Sequence, residues 1–350
     1  MNATVKRFMA RGCLGLGLDR IIRRTAQGRF VILMFHRVVP PATLKASANA
    51  SLMVTEEFFR ALAETLAGRC HCLPLRQAVA LAGVGAEYAK PVVAITFDDG
   101  YGDFYDAVFP VLRKLGLPAT MFLSTGYLDQ PERSFWWDAA EAFLAGSRDM
   151  ALFARAGLPA AFWRDLRAVA ASPSPERISA FIRGPLRRLD PADRTCFLGL
   201  LPPASHGRPA MLSWPQVRAM AATGLVDFAA HCVTHPLLAE LDCTNAMAEI
   251  AASKQRIEEE TGRPVTAFAY PGGSIPLFYK DALTQVGIDL AVTTRFGGND
   301  GRSDPLLLRR VDARLCGASG AFDPASCLAV CSGCFDWLHD LRERRDALVH

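Results

Sequence analysis

Two short runs of side chains in this 350-residue chain are equipped for chemistry. The first is Thr96-Phe97-Asp98-Asp99-Gly100, placed where the apolar run 92–96 ends. Adjacent carboxylates at a strand C-terminus stand where parallel α/β architectures collect catalytic groups, although Asp-Asp-Gly is also ordinary turn chemistry. The second is His231-Cys232-Val233-Thr234-His235, just beyond the apolar run 226–229. Histidines four apart can face one way on a helical turn and offer two imidazole nitrogens to one metal ion, yet two histidines alone do not make a site. Asp99 supplies a third ligand, because it too sits at a strand C-terminus on the same predicted face. Two histidines and one carboxylate, with positions left open, form a metal centre suited to hydrolysis or oxygen chemistry.

Positioning such groups requires strands that alternate with helices, and the sequence has that grammar. Apolar runs at 30–35, 92–96, 119–123, 226–229, around Phe268, at 290–293 and at 306–308 read as about seven strands. Thr55 is placed to cap a helix through about Leu66 that carries Phe58, Phe59 and Leu62 on one face. Helices over 104–115, 214–223, 245–261 and 281–286 end at Gly116, Gly224, Gly262 and Gly287. Strands separated by helices predict a parallel α/β sheet or barrel with right-handed crossovers. Residues 129–212 break the pattern: rich in Ala, Arg, Leu and Pro and without a convincing strand, they read as a mostly helical insertion. Trp136 and Trp137 lie there; they are either core side chains at helical spacing or aromatic platforms of a lid over a sugar.

Composition narrows the partners. Hydrophobic residues make up 51% and charged residues 21%, which supports a large core and excludes disorder, while a net charge of +4 is too weak to indicate nucleic-acid binding. No run approaches the roughly 18 consecutive apolar residues that span a bilayer. Residues 1–29 carry Lys6, Arg7, Arg11, Arg20, Arg23, Arg24 and Arg29 without a signal-peptide pattern, so a cytoplasmic protein is expected. The basic residues alternate with apolar ones, which suggests weak membrane-surface association. Gly12, Gly15 and Gly17 lack the preceding strand that a phosphate-binding loop requires. The ten cysteines have no framework spacing, and Cys327, Cys331 and Cys334 fit one helix face in a core better than a second zinc site.

At its two chemical runs the sequence resembles the polysaccharide deacetylases, also called carbohydrate esterase family 4. Thr96 to Tyr101 and His231 to Pro236 match that family's first two motifs. Further matches are Phe35-His36-Arg37-Val38, Gly116-Leu117-Pro118-Ala119-Thr120-Met121-Phe122, Gly262-Arg263-Pro264-Val265 and Phe268-Ala269-Tyr270-Pro271-Gly272-Gly273. The resemblance implies a distorted (β/α) barrel of seven or eight strands and a metal-dependent hydrolase that removes acetyl groups, usually from N-acetylated sugars. It implies that Asp99, His231 and His235 hold a divalent metal, Zn²⁺ above others, with Asp98 as general base. It further implies that the Tyr270 backbone N–H contributes to an oxyanion hole beside Pro271 and Gly272, where substrate approaches the main chain. Cys232 is not counted as a ligand.

The chain departs from the family near its end. Many members carry a histidine there as general acid, whereas this segment reads Leu307-Leu308-Arg309-Arg310-Val311-Asp312. His36, following the first strand on the catalytic face, is the replacement candidate, with a supporting structural role as its alternative. The expected organisation is a basic segment 1–29, a catalytic domain 30–315 and a helical tail 316–350. The expected activity is de-N-acetylation of a poly- or oligosaccharide in surface glycan biosynthesis or modification. The alternatives are an O-acetyl esterase or deformylase on another acylated sugar, or a noncatalytic carbohydrate-binding protein on the same barrel.

Overall fold

The computed structural model describes residues 28–85, 88–130, 133–146, 149–153, 157–201, 209–318 and 320–334. The basic N-terminal run and the end of the C-terminal tail, on which the membrane-surface and terminal-helix expectations rest, lie outside them. Strands β1 (Phe30–Phe35) and β2 (Val92–Phe97) pair in parallel over their whole length, from Phe30 opposite Val92 to Phe35 opposite Phe97. Both are almost wholly apolar rather than alternating, because a parallel sheet is covered on both faces. With β3 (Ala119–Leu123), β4 (Val226–Ala230), β5 (Ala267–Ala269), β6 (Leu290–Val292) and β7 (Val311–Asp312) they form a parallel sheet of order β7-β1-β2-β3-β4-β5-β6. The short strand His71–Cys72 adds to β2.

The two edges of this sheet are joined by one segment. Leu308 bridges Val292 of β6, and three residues later Val311 pairs with Leu33 of β1, so the sheet curls into a distorted (β/α) barrel with a thin seam. The sequence places the last strand at 306–308, whereas the regular pairing falls at 311–312. The chain must cross from β6 to β1 here, and only its far end runs alongside β1.

Alternation sorts the strand residues between two compartments. Phe30, Ile32, Val92, Ala94, Phe122, Ala229, Ala269 and Leu290 fill the barrel interior, while Val31, Leu33, Phe35, Val93, Ile95 and Phe97 face the surrounding helices. Among those helices is α1 (Glu56–Arg69), capped by the Thr55 side chain accepting from the Phe58 N–H. The helix predicted over 104–115 starts as one π-turn at Phe104–Val108, then runs as Phe109–Leu115 to left-handed Gly116. Pro110 has no N–H to continue a regular ladder through that turn. Helix Trp214–Ala222 opens with a reciprocal Ser213/Gln216 capping box, and Cys243–Thr261 stops at left-handed Gly262.

Residues 129–212 contain α2 (Trp136–Ala145) and the helices Ala160–Ala171, Pro175–Phe181 and Pro191–Gly199. These bury a separate apolar cluster built on Phe135, Trp137, Phe143, Phe153, Phe162, Phe181 and Phe197. After the barrel, α3 (Pro324–Cys331) packs on α1 and on the turn Ala313–Cys316.

Candidate metal centre

Both chemical runs leave strand C-termini through strained backbone. Among the described residues only four non-glycines have positive φ, and three of them are Asp99 (78°), Cys232 (65°) and His235 (55°). A left-handed conformation costs an L-residue about 1–2 kcal/mol, so such strain persists only where the surroundings fix it. Here it turns successive side chains to different tasks. Asp98 and Asp99 part company at the end of β2, and Cys232 is buried in the apolar layer while His231 and His235 face Asp99.

The His231 Nδ1 lies 2.7 Å from the Ala269 carbonyl, which as an acceptor fixes the proton on Nδ1 and presents Nε2 to the site. That Nε2 is 3.5 Å from Oδ1 of Asp99, and the Nε2 of His235 is 3.6 Å from the same oxygen. These are ion-pair separations, too long for hydrogen bonds. Both Asp99 carboxylate oxygens and the His235 Nδ1 are buried without a hydrogen-bond partner. Three ligand atoms, one from each residue, lie within 4.8 Å of one another. A buried carboxylate left without donors is costly, and a divalent cation between one carboxylate oxygen and two imidazole nitrogens removes that cost. The residues present therefore fit a metal ion.

Electrostatics divides the two histidines. At His231 burial acts to lower the pKa, but the Asp99 and Asp98 carboxylates outweigh it and raise it. At His235 burial, joined by the neighbouring His231, pulls the pKa down to about 4. For Asp99 burial acts upward, and His231, His36 and His235 together bring the value below the ordinary range.

Asp98 has a partner absent from the sequence reading. Arg310, completely buried, grips it with two 2.7 Å hydrogen bonds, Nη1 to Oδ1 and Nη2 to Oδ2, and donates from Nε to the Thr293 carbonyl at 2.8 Å. Burial pushes the Asp98 carboxyl up, yet the guanidinium prevails and holds it at about 2. An arginine inside an apolar, strand-like run was the available signal. His36 is brought to the same place, its Nε2 4.0 Å from Oδ2 of Asp98.

Two expectations are corrected. The Tyr270 N–H is donated to the Val292 carbonyl at 3.2 Å, within the pairing of β5 and β6, and is not available to an oxyanion. Its hydroxyl turns away to the Leu306 carbonyl. The following Pro271 is buried, and Gly272 is exposed at φ 57°. Trp137 is buried, and its indole N–H donates to the Tyr101 hydroxyl, so it is a wall of the insertion core and not an open platform. Its ring meets His235 edge-on at 4.9 Å, and Phe135 does so at 5.5 Å. Trp136 stays partly exposed against Trp137.

A buried polar network behind these rings was also missed. The Tyr101 hydroxyl donates to Oδ2 of Asp138 at 2.7 Å, and the Asn49 amide donates to its Oδ1. Burial pushes the Asp138 carboxyl up to about 7, with Tyr101 and Arg37 acting against it. The insertion also reaches the Pro271–Gly273 turn: Arg187 donates to the Gly272 carbonyl at 3.3 Å, and Arg194 pairs with Glu240.

Fold and site define a barrel with a carboxylate–histidine cluster at the C-terminal ends of its strands. The family model described as polysaccharide deacetylase matches residues 85–291, and the chain belongs to that family. Its members are hydrolases that act on acetylated polysaccharide. YxkH of Bacillus subtilis (strain 168), whose name describes a polysaccharide deacetylase, is 31% identical over 103 residues, 29% of this chain. That match covers 34% of the curated relative, about a third of its length. Among solved structures, the Streptococcus pyogenes deacetylase PplD in complex with acetate aligns with a TM-score of 0.56 at 19% identity over 86% of this chain and 97% of its own. IcaB from Ammonifex degensii aligns with a TM-score of 0.54 at 18% identity, over 87% of this chain and 97% of its own. These two likenesses concern the fold.

Proposed function

We propose that this protein is a metal-dependent carbohydrate N-deacetylase in which Asp99, His231 and His235 hold a divalent cation, Zn²⁺ by preference. The observation that carries the reading is the buried Asp99 carboxylate, both oxygens unpartnered, facing two imidazole nitrogens. Such an ion, when bound, supplies a Lewis acid that lowers the pKa of water and polarises an acetyl carbonyl. The chain does the rest. Asp98, kept ionised and aimed by Arg310, accepts the proton of the attacking water. Gly272, three residues beyond the Ala269 carbonyl that holds His231, offers its backbone N–H to the developing oxyanion in place of Tyr270, and Pro271 and Gly272 receive the acetylated sugar. Trp136 provides the remaining exposed aromatic surface, and Phe135 and Trp137 keep water from the far side of His235. His36, beside Asp98, returns a proton to the departing amine.

Ester hydrolysis is the second reading, and Arg310 favours it. Arginine occupies the segment where the family's terminal histidine is expected, and a guanidinium does not give up a proton at working pH. An alkoxide leaving group needs protonation less than an amine does. A surface glycan is the proposed substrate setting, with cytoplasmic action at a membrane surface through residues 1–29. No described helix is long and apolar enough to cross a membrane.

Metal analysis combined with acetate release from N-acetylated and O-acetylated oligosaccharides tests the proposal. Bound zinc and faster amide turnover support the N-deacetylase. Preferential ester turnover selects the second reading, and metal-free protein whose acetate release is unchanged by Asp98→Asn overturns both.

A further inference from the structure

The loop that carries His231 and His235 is secured from two directions. Along the end of β3 and the turn Thr125–Tyr127, the His231 N–H donates to the Leu123 carbonyl at 3.0 Å, and every carbonyl from His231 to Thr234 finds a donor. The Ser124 hydroxyl donates to His231 at 3.1 Å, the Thr125 N–H to Cys232 at 3.2 Å, the Gly126 N–H to Val233 at 2.9 Å and the Tyr127 hydroxyl to Thr234 at 3.0 Å. The fit is close, since a Cβ on Gly126 would stand 2.7 Å from the Val233 carbonyl oxygen. These contacts leave the Val233 and Thr234 N–H groups to be satisfied from elsewhere.

One side chain satisfies both. Glu249, half-buried on the helix Cys243–Thr261, accepts the two N–H groups on a single oxygen, Oε2, at 2.8 and 2.9 Å, and takes the Thr234 hydroxyl on Oε1 at 2.8 Å. The two residues it holds stand between Cys232 and His235, both in the left-handed region. Backbone in that region persists only where its surroundings over-determine it. We infer that Glu249 is a positioning residue of the metal centre: by fixing Val233 and Thr234 it sets how the two imidazoles are spaced about Asp99. Its hydrogen bonds all go to Val233 and Thr234, so it acts through the loop. The inference rests on the reading of Asp99, His231 and His235 as metal ligands, and adds that metal affinity depends on the reach of a side chain from a neighbouring helix. Reach and charge are separable. Glu249→Gln keeps the length and an oxygen that can accept both N–H groups, while its amide can donate to the Thr234 hydroxyl. Glu249→Asp keeps the charge but is one methylene shorter.

The test takes full-length protein freed of metal by a chelator, measures Zn²⁺ affinity by competition with a chromophoric chelator, and records the visible absorption of the Co²⁺-loaded form, whose bands report ligand geometry. Circular dichroism checks that each variant folds. Glu249→Ala and Glu249→Asp are expected to bind Zn²⁺ about 10–100-fold more weakly than the wild type and to shift the Co²⁺ bands, with Glu249→Gln closer to the wild type in both. Should Glu249→Ala fail to fold, the Gln and Asp variants carry the comparison. Wild-type affinity and spectrum in Glu249→Asp, with any loss confined to the stability of the metal-free protein, would overturn the inference and leave the metal reading standing. Glu249→Gln weaker than Glu249→Asp would do the same, because charge and not reach would then be what counts. A wild type that takes up neither ion overturns the metal reading itself.

Discussion

Arg310 and Asp98 are locked face to face, two 2.7 Å hydrogen bonds holding a fully buried guanidinium against a buried carboxylate. The arginine comes from the seam that closes the barrel and the aspartate from the end of β2, so one contact ties the last strand to the site. Removing one partner of a buried pair leaves a charge without compensation. Arg310→Met is expected to cost about 3–5 kcal/mol in chemical denaturation, and Arg310→Lys less because the charge stays while the fork is lost. A double mutant that also carries Asp98→Asn regains part of that loss. A cost below about 1 kcal/mol for Arg310→Met would show that the pair does not hold the seam.

Metal should act as a stabilising ligand. Adding Zn²⁺ to chelator-treated protein is expected to raise the unfolding free energy by about 2.7 kcal/mol once the free ion exceeds its dissociation constant a hundredfold, and the unfolding midpoint with it. His231→Ala and Asp99→Asn should abolish that rise, whereas Asp98→Asn should keep it while lowering kcat by about 10²–10⁴-fold. Scanning calorimetry with and without the ion separates the ligands from the proposed base.

Asp138 is expected to make stability depend on pH. Its folded pKa of about 7 lies above the ordinary 3.8, so between those values the native state binds more protons than the unfolded chain. The contribution is therefore fully present below about pH 4 and lost as pH rises through 7. Relative to Asp138→Asn, the wild type is expected to lose roughly 4 kcal/mol across that window, at 1.36 kcal/mol per unit. Urea denaturation of both proteins from pH 4 to pH 8 reads the difference; a flat one would mean that Asp138 is ionised throughout.

The two tryptophans should separate. Trp137→Phe removes the indole hydrogen bond to Tyr101 and is expected to cost about 1–2 kcal/mol of stability. Trp136→Ala, at the partly exposed ring, is expected to raise KM for an oligosaccharide with little change in kcat. Equal stability losses in both variants would place Trp136 in the core as well.

Much of the architecture was legible because its causes are local. Thr55, Gly116 and Gly262 act within a turn of their own positions, and uninterrupted apolar runs mark strands covered on both faces. Asp99, His231 and His235 were legible together because each follows a predicted strand, and parallel strands deliver their C-terminal ends to one face. The failures have the opposite character. The Tyr270 N–H looked free because its partner, Val292, lies on a neighbouring strand, and Trp137 stayed open between core and platform because the insertion core that buries it is assembled from four separated helices.

What the sequence determined by itself was the parallel barrel, the stops and caps of its helices, and which carboxylate and imidazole groups share a face. Only the tertiary structure decided that Arg310 grips Asp98 and that Tyr101 and Asp138 back the wall behind His235. The physical reason is range. Periodicity, capping and turn chemistry act within a few residues, whereas the partner of a buried charge is chosen by packing between segments the chain keeps far apart.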